Sequence, residues 1–496
     1  MKKSFNKRGN SSLDNVSDAI TQLEKSKDFT RLLIPSEHHT GLCVSYFNTL
    51  IDIEILRRDI LPYINKTSNT LEGVIHDLPL ESMIFTDTPS EVQDHLLIGY
   101  ISIMLADLNH KAVLIKAASK ENKEFALPEV EYSIVGPKEA LVESLDTNLH
   151  LIRKRLPIPE LTIEELSVGS LSKTRVAILS IEGITNKENV QTTKQRIMDI
   201  HFNQIIDISY IAQMIGDNKL TPFPLYVDTE RPDRLAASLA EGKVVVVAEG
   251  SPHGLIGPST LIEQFSAFDD YFLNWVIASF FRFLRFFGAL LSILITPLYV
   301  AILTYHYELI PKDLINTLVI SRSEVPFPPI LEALILELVI ELLREAGARL
   351  PTKVGQTIGI VGGIVIGTAS VEAGLTSNVL LIIVALSALA SFTSPVFQLG
   401  SAIRLIRFPF ILMASYIGLI GVAISFFFLL VHLLRLKSLG RPFIEPLFPL
   451  RLSDWKDALV RLPFSFQAKR PVEVQSENLM RFDEKMASDK NPVKEE

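Results

Sequence analysis

The sequence holds one cysteine, Cys43, in 496 residues. A single thiol excludes a disulfide framework within the chain and reads as a small buried hydrophobe. Positive charge is not in excess either: 48 Lys and Arg stand against 56 Asp and Glu, a net charge of −8, which makes no case for a nucleic-acid partner. The first residues, MKKSFNKRGNSSLDN, are basic and polar, and no apolar stretch follows them, so no cleaved secretory signal is expected. Ser172-Lys173-Thr174 lacks the glycines of a P-loop and runs into an apolar strand rather than a helix. His38-His39 has no Cys or His at metal-binding spacing. No hydrolase elbow, dinucleotide fingerprint or EF-hand loop occurs. The sequence therefore offers no catalytic residue, no cofactor site and no metal site.

What is present is apolarity, unevenly spread. Residues 1–30 are polar and read as a flexible tail. From 31 to 280 the apolar runs are short and broken by charge, Pro and Gly. GLCVSYFNTLIDIEILRRDILPYI (41–64) reads as strand, turn and amphipathic helix. TRVAILSIEG (174–183) and GKVVVVAEGSP (242–252) read as buried strands, with the helix RLAASLAEG stopped at Gly242 between them. Strands alternating with helices predict an α/β half of two subdomains, 31–155 and 160–280, joined at LPIPE (156–160). TERPD (229–233) reads as a helix start, with Thr229 as cap and Glu230 and Arg231 free to pair with a neighbour, a subunit contact included. Gly136-Pro137 starts another helix, whose end carries Arg153, Lys154 and Arg155 as a solvated, dipole-matched cluster.

After 280 the chemistry changes. Uncharged runs predict spans at about 286–305, 354–372, 377–398 and 410–432. The segment 281–434 is thus expected to be an all-α transmembrane domain of about four spans plus an amphipathic helix, followed by a basic and then disordered tail, 435–496. Arg282 and Arg285 place the N-terminal half on the cytoplasmic side. Arg404 and Arg407 would then lie outside, and a fifth span would reverse them, so charge leaves the count open.

PPILEALILELVIELLREAGARLP (328–351) is the ambiguous stretch. The ten Leu, Ile and Val between Ile330 and Ala346 are worth about −3 to −6 kcal/mol on insertion, while Glu337 and Glu341 together cost about 5–7 kcal/mol. A lone span breaks even at best. Glu337, Glu341 and Glu345 share one helix face, so an amphipathic helix over 330–347 is expected. That face either meets bulk water or lines an ion path inside an assembly. In the next apolar run Gly355, Gly359, Gly363 and Gly367 recur every fourth residue, a stripe for close helix packing. The same helix carries Val361, Val365, Thr368 and Glu372. It is either one arm of a packed hairpin or a helix repeated around a pore, with the valines as constriction and Glu372 attracting cations at the mouth.

Several segments together resemble the A subunit of GerA-type spore germinant receptors: GPKEALVESLDTNLHLIRKRL (136–156), SKTRVAILSIEGITN (172–186), TPFPLYVDTERPDRLAASLAEGKVVVVAEGSP (221–252), FDDYF (268–272), the PFPP run through Gly347, and VGQTIGIVGGIVIGTASVEAGLTS (354–377). Glu249-Gly250 departs from the family's more frequent Asp-Gly. The resemblance implies residence in the spore inner membrane beside a transporter-like B subunit and a lipoprotein C subunit. It also implies nutrient-triggered cation release and an A subunit that homo-oligomerises into a pore. A secondary transporter, a membrane-anchored enzyme or a membrane-anchored signalling protein are the competing readings from other classes.

Overall fold

A computed structural model describes residues 15–34, 41–64, 83–105, 110–118, 127–128, 131, 135–350, 352–451 and 454–482. The chain divides into two compact units. One comprises Met1–Gly216, Asp228–Pro258 and Gln467–Glu496, the other Asp217–Val227 and Ser259–Phe466.

The first unit contains two five-stranded sheets. In the first, β1 (Phe29–Ile34), β2 (Leu42–Phe47), β3 (Met83–Thr86), β4 (Tyr100–Leu105) and β5 (Ala112–Lys116) lie in the order β1-β2-β4-β5-β3. Period-two alternation sends Leu42, Val44 and Tyr46 to one face and Cys43 and Phe47 to the other. Leu56 and Ile60 of the helical stretch 53–64 cover the first face. Helices α1 (Val16–Leu23) and α2 (Pro89–Leu96) cover the second. Cys43 is buried there, as a small hydrophobe would be. Helix α1 lies where the sequence suggested a flexible tail. Val16, Ala19, Ile20 and Leu23 are spaced i, i+3, i+4, i+7, and that stripe is buried.

The second sheet holds β6 (Leu161–Val168), β7 (Thr174–Ile181), β8 (Val227–Thr229), β9 (Val244–Ala248) and β10 (Gly254–Gly257) in the order β6-β7-β9-β10-β8. This is the strand order of the first sheet, member for member. Both sheets are built as hairpin, helix, strand, helix, hairpin. All the pairs with a defined register are antiparallel. Helices α3 (Leu145–Arg155), α4 (Lys187–Met198), α5 (Ile208–Ile215) and α6 (Pro232–Glu241) accompany this second sheet. Gly242 ends α6 at φ +97°, a conformation glycine adopts without strain.

Three local expectations shift. Helix α3 starts at Leu145 rather than after Pro137: Asn148 binds the backbone of Val142 through Oδ1 (2.8 Å) and Nδ2 (2.6 Å), and Ser144 caps the helix instead. Arg153 is not a solvated charge. It is fully buried, with Nε 2.7 Å from Asp28 Oδ2 and Nη2 donating to Ser26 Oγ and Leu161 O. At the far end of the chain, residues 467–482 are no disordered tail. Val474 is buried, Glu477 N donates to Ile184 O (2.9 Å) and Arg481 pairs with Glu241 (3.0 Å), so this segment completes the first unit.

The second unit is helical: α7 (Trp275–Tyr305), α8 (Lys312–Arg322), α9 (Pro329–Ala348), α10 (Thr352–Glu372), α11 (Asn378–Ser391), α12 (Phe397–Ile417) and α13 (Leu419–Arg435). Among the described residues α7 and α12 are long and apolar enough to cross a membrane, and α11 and α13 are shorter apolar helices. The expected span 410–432 is divided between α12 and α13 at Gly418, whose φ is +67°. Its start moves back to Phe397, because Arg404 and Arg407 lie inside a helix rather than in a loop. Helix α7 also starts earlier than 286. Arg282 and Arg285, read from sequence as the basic flank of the first span, clamp the buried Asp270 of FDDYF at 3.2 and 2.7 Å.

Candidate functional site

The site is a series of carboxylates on α9 and the guanidiniums that meet them. Pro329 begins the helix with φ already suited to its first turn, and apolar residues fill the positions between the acids. Glu332 is buried. Its Oε1 accepts from Arg322 Nη2 at 2.8 Å, and its Oε2 accepts from Ser377 N at 3.2 Å, at the start of α11. Tyr299 of α7 reaches the same serine through its hydroxyl at 3.2 Å.

One and a half turns on, Glu337 is buried as well. Its Oε1 accepts from Thr296 Oγ1 at 3.0 Å, and its Oε2 pairs with Arg407 Nη1. Arg407 Nη2 donates to Ser292 Oγ at 2.7 Å. Three helices, α7, α9 and α12, therefore meet on one ion pair. Glu341 follows. It pairs with Arg344 on its own helix, and Arg404 Nε stands 3.4 Å from its Oε1. Its side chain is 24% exposed. Glu345 is 62% exposed and, among the described residues, pairs only with Arg349, its i+4 neighbour.

The acidic face is thus graded, sealed at the N-terminal end of α9 and wet at the C-terminal end. The sequence posed water against an ion path for Glu337, Glu341 and Glu345 as a set, and the fold separates them. Both oxygens of Glu337 are engaged inside one chain, which leaves no bare carboxylate there. A buried carboxylate without its guanidinium is costly, and the matched pair removes that cost.

The glycine helix falls partly outside the described residues. The surroundings of Gly355, Gly359 and Val361 are among those not described. Gly367 lies against Leu381 of α11 at 3.7 Å from an added Cβ, and Gly363 has open space there. Val365, Thr368 and Glu372 are exposed, as are Ile364 and Ile366. Glu230 and Arg231 are both buried in the first unit. Arg231 pairs with Asp233 at 2.8 Å and Glu230 lies 3.7 Å from His253 Nε2, so neither is free for another subunit. Thr229 ends β8, and its Oγ1 accepts from Arg231 N (3.1 Å); Arg231 holds the cap position of α6. His38-His39 lies outside the described residues, and no group of three metal-ligating side chains occurs among the described ones.

Sequence reasoning missed Arg322, Arg404 and Arg407 as partners of the acids. A signal existed. Glu337 and Glu341 are one turn apart on an apolar helix, Arg404 and Arg407 are one turn apart on another, and the pairing 337–407 and 341–404 is that of antiparallel helices.

The family model described as "Bacillus/Clostridium GerA spore germination protein" matches residues 17–473. Spore germination protein GerQA of Bacillus cereus is 51% identical over 97% of this chain and 96% of its own length. Spore germination protein GerIA of the same species is 41% identical over 96% of this chain and 71% of its own. Among solved structures, the N-terminal domain of the A subunit of the Bacillus megaterium spore germinant receptor GerK3 is 24% identical with a TM-score of 0.37, over 49% of this chain and 92% of that one.

Proposed function

We propose a function from one premise: the chain belongs to the GerA family of spore germination proteins. It serves as the A subunit of a nutrient-responsive germination receptor. It sits in the spore inner membrane with its N-terminal unit toward the core, beside a transporter-like B subunit and a lipoprotein C subunit. It is not an enzyme. Copies of its helical unit assemble around a path for monovalent cations, and sensing of the nutrient by the complex shifts that assembly from closed to open.

The observation that carries the pore reading is α10. Ile364, Val365 and Ile366 are exposed on a helix whose small-residue face is also partly open. Apolar surface of that kind on an apolar helix asks for a neighbour, and a second copy supplies one by symmetry. Thr368 and Glu372 would then follow the valine ring toward the mouth, and Glu341 and Glu345 would supply the acidic approach. The pair Glu337–Arg407 is a lock rather than a conduit: it fixes α9 against α7 and α12.

Purified protein in liposomes tests this through monovalent cation flux at several protein-to-lipid ratios. A pore predicts flux that rises with assembly and changes when Val365 is replaced by Ala or Asn. Saturable, substrate-coupled uptake unaffected by Val365 would replace the pore with a transporter. Spores lacking the chain would lose at least one nutrient response.

A further inference from the structure

The helical unit holds a cavity that the pore reading does not use. It has a volume of about 470 Å³ and lies where the end of α7 meets α8. Its walls are Leu303, Tyr307, Ile310, Ile315, Leu318, Val319 and Arg322. We propose that this cavity is a lipid site, holding one acyl chain of a membrane phospholipid whose ester carbonyl accepts a hydrogen bond from Arg322 Nε.

Four features choose this occupant. The size falls in the range of small-molecule pockets, about 300–1,000 Å³, and is too small for a docked helix about 10 Å across. The lining is hydrocarbon apart from the Tyr307 hydroxyl and one guanidinium, so a zwitterionic or sugar solute would leave its polar groups without partners. Arg322 has its charge matched already: Nη2 donates to Glu332 at 2.8 Å and to Phe327 O at 3.3 Å. Its Nε is buried with no acceptor among the described residues. A neutral carbonyl satisfies that donor without adding a second negative charge beside Glu332.

The fourth feature is α8. Eleven residues make a helix about 16 Å long, half a bilayer core. Leu314, Ile315, Val319 and Ile320 are exposed on it, and Lys312 and Arg322 stand at its two ends. Such a helix belongs at the boundary between headgroups and acyl chains, the depth at which ester carbonyls lie. The site therefore rests on the membrane reading above and adds a specific lipid contact to it.

The full chain, extracted in mild detergent and examined by native mass spectrometry, is expected to retain one phospholipid per copy. Leu318→Trp fills the cavity and should bring retention to background while the protein keeps its thermal transition. Arg322→Lys keeps the charge beside Glu332 and removes the Nε donor, and should weaken retention about 3- to 10-fold. Should Leu318→Trp not fold, Val319→Phe narrows the same cavity from its rim and is read the same way. Folded wild-type protein without bound phospholipid overturns the proposal, and so does retention that ignores both cavity-filling variants. Displacement of the bound lipid by free amino acids or sugars would overturn it in favour of a solute pocket. Alkaline carbonate extraction separates the two levels. Release of the chain from membranes defeats the membrane reading itself, whereas a chain that stays in the membrane without variant-sensitive lipid defeats only the lipid site.

Discussion

Two buried arginine–carboxylate pairs, Arg153–Asp28 in the first unit and Arg407–Glu337 in the second, look alike in a list of contacts and differ in what surrounds them. Arg153 also binds a hydroxyl and a main-chain carbonyl and stacks over Phe47, 4.5 Å from the ring centroid. It joins the segment before β1 to β6, and so one subdomain to the other. Among the described residues Arg407 has only side-chain acceptors, Glu337 and Ser292, each from a different helix. The first pair is embedded in backbone that needs a donor. The second is a self-contained neutral unit among apolar helices. A buried pair of the second kind leaves the Ser292 and Thr296 hydroxyls behind, which can turn to carbonyls of their own helix, and is exchanged for hydrocarbon more readily than one of the first kind, which would leave the main-chain carbonyl of Leu161 without its donor.

The largest expected effects come from splitting either pair. Arg407→Ala or Arg153→Ala should each lower stability by about 3–5 kcal/mol, read from thermal or denaturant unfolding of the full chain in detergent. The double replacements sharpen the comparison. Glu337→Leu with Arg407→Leu should recover most of the loss, while Asp28→Leu with Arg153→Leu should recover less, since the Leu161 carbonyl stays buried without its donor. Equal recovery in both would show the distinction to be empty.

A middle-sized effect comes from Gly99, at φ +89°, where an added Cβ would stand 2.8 Å from Leu50 O. Gly99→Ala should cost about 1–3 kcal/mol. A smaller effect concerns His253 in the first unit. Asp228, 3.0 Å from Nδ1, raises the imidazole above its ordinary value against the opposing effect of burial, with Glu230 and Asp207 adding to the rise. A group raised on folding stabilises most below its unfolded pKa and loses that contribution as pH climbs through the folded one. Stability should therefore fall from slightly acid toward alkaline pH, and His253→Asn should flatten that slope. The smallest is Glu345→Gln. Its pair with Arg349 is solvated, and the change should stay within about 0.5 kcal/mol.

Much of the fold was written in local pattern. The strands at 42–47, 174–181 and 244–248, the stop at Gly242 and the acidic helix all follow from periodicity and turn chemistry. Helix α1 was legible too, since its i, i+3, i+4, i+7 stripe is ordinary; a polar surrounding composition hid it. The repeated strand order was not legible, because strand order depends on which strands meet across loops of different length. Nor was the fate of Arg404 and Arg407. A charge in an apolar run reads as a break in a span until its partner, here about seventy residues away, is known.

The sequence by itself determined that one half of this protein is a strand-and-helix fold, that the other is apolar helix, and that one apolar helix carries glutamates along a single face. Period and composition settle such matters, since they act over a few neighbouring residues. Tertiary structure alone decided that these glutamates are not equivalent. Each carboxylate's state depends on the guanidinium brought to it from another helix, and at low dielectric that long-range pairing outweighs anything the local sequence expresses.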